Sequence, residues 1–149
     1  MSFFDPRARS NFLSRLFPQR RDVWRALVVD PDAKAAERLV STLRPAPQCV
    51  ITTTLAQARA SLSSNMPDLI ALELDLPDGR GIDLISSFQG ISLPRRPLII
   101  VTTTRSTMED KIMAFMAGAD DYLVKPIEPA DFAAHVSRLG RFSLVATTL

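Results

Sequence analysis

From residue 25 onward the chain alternates short apolar runs with segments of helical periodicity. Residues 26–29, 49–52, 69–74, 98–101 and 121–124 read as strands. The run at 69–72 carries no charge and no polar alternation, the pattern of a strand buried on both faces. Helices are predicted over 33–43, 55–62, 82–88, from about 106 to 117, and over 129–139. In the first of these Ala36, Leu39, Val40 and Leu43 share one face. Ser106-Thr-Met-Glu109 fits a capping box for the fourth, and Gly118 a stop. Five strand-helix pairs with short links predict an α/β fold, a parallel sheet wound on both faces with right-handed crossovers.

Open parallel sheets place their sites at the carboxyl ends of the strands. Four polar residues fall there: Asp30, Glu73, Thr102 and Lys125. Singly, each such residue is more often a helix cap. Asp75 follows Glu73 by two and, if the extended conformation continues, points to the same side. Asp78 and Arg80 add charge nearby, and 77–81, Pro-Asp-Gly-Arg-Gly, breaks the chain.

Charge divides the chain more sharply than hydropathy does. Residues 1–25 carry six Arg against Asp5 and Asp22, whereas the remainder is slightly acidic. Asp5-Pro6 is a helix start and Pro18 a stop, with Phe12, Leu13, Leu16 and Phe17 on one face and Arg7, Arg9 and Arg15 largely elsewhere. Residues 1–24 are therefore expected to be a basic amphipathic extension. Its apolar face docks on the body, or meets a partner or a membrane surface. An Arg-rich start also fits a transit peptide, although no secretory-type apolar core is present. Residues 25–139 form the expected domain and 140–149 a tail.

The 149 residues, 46% of them hydrophobic, suit one domain with a real core. No apolar run approaches membrane-spanning length, so a soluble, cytoplasmic protein is expected. Cys49 and His135 are each the sole residue of their type, which excludes an internal disulfide and the usual zinc ligand sets. Cys49 is expected as a small core hydrophobe, and His135, inside the last helix, as a packing or surface residue. No Gly-rich phosphate loop of Walker type occurs.

Leu27-Val-Val-Asp30, Pro67-Asp-Leu-Ile-Ala-Leu-Glu-Leu-Asp-Leu-Pro77, Val101-Thr102 and Gly118-Ala-Asp-Asp-Tyr-Leu-Val-Lys-Pro126 together resemble the receiver domain of bacterial two-component response regulators. The resemblance spans nearly all of residues 25–139. It implies a flavodoxin-like sheet of order 2-1-3-4-5 with five helices. It also implies a phosphoacceptor Asp four residues before the Pro, a magnesium ion held by that Asp and an acid pair after the first strand, and Thr and Lys groups binding phosphoryl oxygens. Tyr122 falls where such domains carry an aromatic that moves between exposed and buried positions. The face of the fourth helix, fifth strand and last helix, including Met108, Met113 and Tyr122, and with His135 at its margin, is the implied protein-binding surface.

The sequence departs from that pattern at two positions. Glu73 stands where the phosphoacceptor Asp is expected, and Pro31 occupies the second place of the acid pair, with Asp32 displaced by one. Magnesium needs near-ideal octahedral oxygen geometry, and phosphoryl transfer tolerates little misplacement. A stand-alone, non-enzymatic, phosphorylation-independent interaction module is therefore expected. In it Glu73 either locks one conformation by pairing with Lys125 or is a tolerated acid in a decayed site. No cofactor is expected; a magnesium site from Asp30, Glu73 and Asp75 is the alternative, and without a metal these acids have few counter-charges besides Lys125, so that one of them should titrate above its usual value.

Two other functions remain open. One is a functional phosphoacceptor serving a histidine kinase in a phosphorelay. The other is a cyclic di-GMP effector using the pairs Arg20-Arg21 and Arg95-Arg96, since arginine forks match phosphates. Protein partners in bacterial signalling are expected, with a homodimer as one form. Specific DNA binding is not, because the ten residues after the domain are too short for a helix-turn-helix unit and the basic segment lacks a groove-reading pattern.

Overall fold

A computed structural model describes residues 23–91 and 96–139. Residues 1–22 of the extension, Arg20 and Arg21 among them, Arg95 and the tail lie outside the described residues. The main elements are β1 (Arg25–Val29), α1 (Ala33–Val40), β2 (Gln48–Thr52), α2 (Leu55–Ser64), β3 (Leu69–Leu72), α3 (Gly81–Ser86), β4 (Leu98–Thr103), α4 (Met108–Ala117), β5 (Asp121–Val124) and α5 (Pro129–Arg138). All neighbouring pairs are parallel, in the order β2-β1-β3-β4-β5. This is the flavodoxin-like, receiver-type sheet, with its order reversing next to β1.

Strand periodicity divides the core into two layers. Leu27, Val29, Ile70, Leu72, Ile99 and Val101 face one side, where Leu55 and Ala58 of α2, Leu84 and Ile85 of α3, and Ala114 and Ala117 of α4 cover them. Ala26, Val28, Leu69, Ala71, Leu98 and Ile100 face the other, against Ala36 and Leu39 of α1 and Phe132 and Val136 of α5. Trp24, counted with the extension on sequence, belongs to this second layer; its indole N–H donates to the Pro45 carbonyl at 2.7 Å.

The departures from the sequence reading are local. β4 continues two residues beyond Val101, and β3 stops at Leu72. The chain then turns into a short antiparallel pair, Asp75–Leu76 against Gly79–Arg80. Gly81 closes this turn: its amide donates to the Leu74 carbonyl at 2.8 Å, and a Cβ there would collide with the Glu73 carbonyl oxygen. A side chain at 81 would therefore push the end of β3 aside.

α1 ends at Val40, although Leu43 beyond it is still buried. The cap of α4 is Thr107, whose hydroxyl accepts from the Asp110 amide at 3.1 Å, so the capping pair is one residue later than Ser106 and Glu109. Gly118 terminates α4 at φ +123°, a region where L side chains are strained. Cys49 is not a core residue: it lies exposed on β2, an edge strand whose Gln48, Cys49 and Val50 all face solvent. Edge strands lack covering neighbours on one side, which local apolar patterning cannot reveal.

Candidate functional site

The carboxyl ends of β1, β3, β4 and β5 bring Asp30, Glu73, Thr103 and Lys125 together. Asp30 and Glu73 are both buried, 3% and 5% exposed. Between them lies the Lys125 ammonium, which donates to Asp30 Oδ2 at 2.7 Å and sits 2.9 Å from Glu73 Oε2. Oε2 is held by charge rather than by a directed hydrogen bond. The other oxygen, Oε1, accepts from the Thr103 hydroxyl at 2.8 Å and from the Asp75 amide at 3.2 Å. Burial works against the charge on Lys125, but its contacts with Asp30 and Glu73 outweigh that and raise its pKa above the usual lysine value.

The hydroxyl at the site is thus Thr103, not Thr102. Along β4, Ile99, Val101 and Thr103 alternate with Leu98, Ile100 and Thr102, so the two hydroxyls leave on opposite faces. Thr102 Oγ1 is buried with no hydrogen-bond partner among the described residues. In a run of three threonines the strand's end, and with it the functional position, is not visible in local sequence.

Asp75 does not join Glu73. Because β3 ends at Leu72, Asp75 faces outward, where Arg105 grips it through two 2.8 Å hydrogen bonds. The Arg105 contact holds the Asp75 carboxyl below the usual carboxylate range. The expectation that surplus acids would titrate high does not hold at Asp75, since Arg105, unnoticed in sequence, supplies the counter-charge. Asp78 also serves elsewhere: it accepts from the Leu55 and Ala56 amides at 2.7 and 2.9 Å and fastens the start of α2. Asp32 caps α1 by accepting from the Ala35 amide at 3.1 Å.

These commitments bear directly on magnesium. Asp30 is paired with Lys125 and also accepts from the Asp32 amide at 2.9 Å, Pro31 offers no donor, and Asp32 and Asp75 are turned away. Among the described residues no group of three His, Cys, Asp or Glu side chains is placed to hold a metal ion. The donor set does not fit an octahedral cation.

The site continues to Tyr122 through Arg105. Tyr122 is buried, and its hydroxyl donates to the Arg105 carbonyl at 2.8 Å. The Arg105 amide in turn lies 3.3 Å from Thr103 Oγ1. Burial first, then the Asp110 and Glu73 charges, push the Tyr122 phenol above its ordinary value, with Arg105 opposing. A phenol whose folded pKa is raised contributes stability that is present below the unfolded value near ~10 and lost as pH rises past it. Tyr122 is the sole tyrosine, so ultraviolet titration of the folded protein should give one phenolate transition, above that of free tyrosine. A transition at the free value would contradict the buried position.

Of the remaining candidates, Met108 and Met113 are exposed on α4. His135 contacts Asp121 at 2.6 Å, with Arg138 close to both. Arg96 is committed to Asp120 at 2.7 Å and to the Gly118 carbonyl at 2.9 Å, which removes it from a phosphate-binding pair. No described helix is long and apolar enough to cross a membrane.

The sequence and the fold have clear counterparts. The KdpE transcriptional regulatory protein of Mycobacterium tuberculosis is 34% identical over 126 residues, covering 83% of this chain and 54% of its own length. The DNA-binding response regulator MtrA of Mycobacterium leprae is 35% identical over 119 residues, covering 78% and 52%. The chain spans about half the length of these curated relatives. A two-component response regulator structure from Clostridium difficile superposes with a TM-score of 0.71 at 26% identity, covering 79% of this chain and 96% of that one. Residues 26–137 match the response regulator receiver domain, and with three quarters of its length in that match the chain belongs to the receiver-domain family.

Proposed function

We propose that this protein is a receiver-type signalling module that works by phosphorylation-independent protein contact, with Glu73 as a fixed substitute for a transferable phosphoryl group. The observation that carries this reading is the double contact of one carboxylate. Glu73 engages both Thr103, at 2.8 Å, and Lys125, at 2.9 Å. These are the residue types that hold phosphoryl oxygens in the family this chain resembles.

The added methylene is what allows the reach. A carboxylate one bond further from the backbone occupies space that a phosphoryl group on a shorter side chain would fill. Thr103, so held, is linked through the Arg105 amide and carbonyl to the inward Tyr122. The output surface is the α4, β5 and α5 face beside it, and its partners are signalling proteins.

The direct test is to incubate the full-length protein with acetyl phosphate and magnesium and record its intact mass. The expected result is an unmodified mass and unchanged partner capture. Incorporation of a phosphoryl group would return the protein to the phosphoacceptor reading.

A further inference from the structure

α4 packs the reverse of an ordinary surface helix. Its buried residues are the small Ala114 and Ala117, while Met108, Ile112, Met113, Phe115 and Met116 are exposed. Five of the eight exposed large apolar side chains among the described residues therefore lie on one ten-residue helix. Met108, Ile112, Phe115 and Met116 fall at i, i+4, i+7 and i+8, a continuous stripe. Met116 is 78% exposed, and the Phe115 ring stands 6.4 Å from that of Tyr122. A stripe of this kind, rich in adaptable Met, marks a binding surface for an amphipathic helix.

We infer that the occupant is the chain's own segment 5–17, which docks on α4 and covers the output face. That segment lies outside the described residues, and three observations select it. The first is pattern: Phe12, Leu13, Leu16 and Phe17 supply one apolar face, long enough at helical rise to cover the last two turns of the stripe. Charge is the second. Residues 1–22 carry five Arg against two Asp, whereas residues 23–139 carry twelve basic and fourteen acidic side chains, with Glu109 exposed in the first turn of α4; its neighbour Asp110 is already held by Arg105 at 3.6 Å and by the Thr107 hydroxyl at 2.7 Å.

The third is reach. α4 runs against the strands, so its last turn, with Phe115 and Met116, lies at the edge of the sheet where β1 begins just after Val23. β1 and β4 are two strand spacings apart, about 10 Å, and α4 covers the sheet face by roughly a further 10 Å, which places its axis ~14 Å from the start of β1. The six Cα steps from Phe17 to Val23 extend to ~20 Å. A short tether also gives an effective concentration on the order of millimolar. A contact too weak to hold separate chains together therefore forms within one.

Cross-linking rates read this docking whatever Glu73 does, so its failure and that of the proposed function are separable. In full-length protein carrying Cys49→Ser, Leu16→Cys is combined with Met116→Cys or, as a control at the same edge of the sheet, with Ser63→Cys on α2. The expected result is an intrachain disulfide at least tenfold faster with Met116→Cys. In protein otherwise native, Leu13→Glu with Leu16→Glu should accelerate amide exchange over residues 108–117 several-fold. Equal disulfide rates, a disulfide formed between chains, or unchanged exchange would each overturn the inference. The interchain product would assign the stripe to a second copy instead.

Discussion

Lys125→Met should destabilise the protein by about 3–5 kcal/mol, the range for breaking a buried charge pair from one side. Asp30 and Glu73 are almost fully buried, and Lys125, though partly exposed, is the cation that contacts both. Removing it strands two carboxylates next to each other in a weakly screened environment. Thermal unfolding should fall by roughly 10–20 °C for a domain of this size.

The pH dependence has a definite sign. A lysine whose folded pKa is raised contributes stability that is fully present below its unfolded value of ~10.4 and lost as pH rises through the folded one. The wild-type advantage over Lys125→Met should therefore be intact at neutral pH and shrink at the alkaline end. Adding Glu73→Gln to Lys125→Met should recover part of the loss, because only one carboxylate then remains unpaired. A single variant within ~1 kcal/mol of wild type would show that solvent screens the cluster as it does a surface pair.

Pro31→Asp combined with Glu73→Asp should give a protein that acetyl phosphate labels in the presence of magnesium, where the proposed function expects the wild type to stay unlabelled. Glu73→Asp withdraws the carboxylate from Thr103 and frees the space in front of Lys125. Pro31→Asp supplies an acid beside Asp30, which restores a direct oxygen donor for the metal. Neither change alone should suffice. Glu73→Asp without the acid pair lacks the cation that offsets charge on the transferring group, and Pro31→Asp alone leaves Glu73 in the phosphoryl position. The expected readout is the mass of one phosphoryl group on most of the double variant and on neither single one. A double variant that stays unlabelled would mean that further features, such as the Asp75–Arg105 bridge, close the site to the donor.

Much of this arrangement was legible in the sequence because it rests on periodicity and on spacing. The uncharged run at 69–72 and the short links between elements dictate a parallel sheet, and a parallel sheet gathers strand ends. What local pattern could not show was where strands stop and what long side chains reach. Thr102 and Thr103 are chemically identical, and only the length of β4 decides which hydroxyl meets Glu73. Asp75 looked like a companion of Glu73 until β3 ended at Leu72 and Arg105, thirty residues away in sequence, paired with it. Arg96 next to Arg95 suggested an anion site, yet its planar fork is used on Asp120 and a carbonyl. Cys49 failed for a related reason, since an apolar run does not distinguish an edge strand from a central one.

The central claim is that the Glu73 carboxylate, acting through Thr103 and Arg105, keeps Tyr122 inward. With Tyr122 the sole tyrosine, full-length protein grown with 3-fluorotyrosine gives one fluorine reporter at the position in question. Fluorine NMR of the wild type should show a single buried resonance that neither magnesium nor acetyl phosphate moves. Glu73→Ala should add or shift to a solvent-exposed resonance, as the Thr103 and Arg105 contacts loosen and the ring gains an outward position. An unchanged buried resonance in Glu73→Ala would contradict the account and leave Glu73 as an acid that the site merely tolerates.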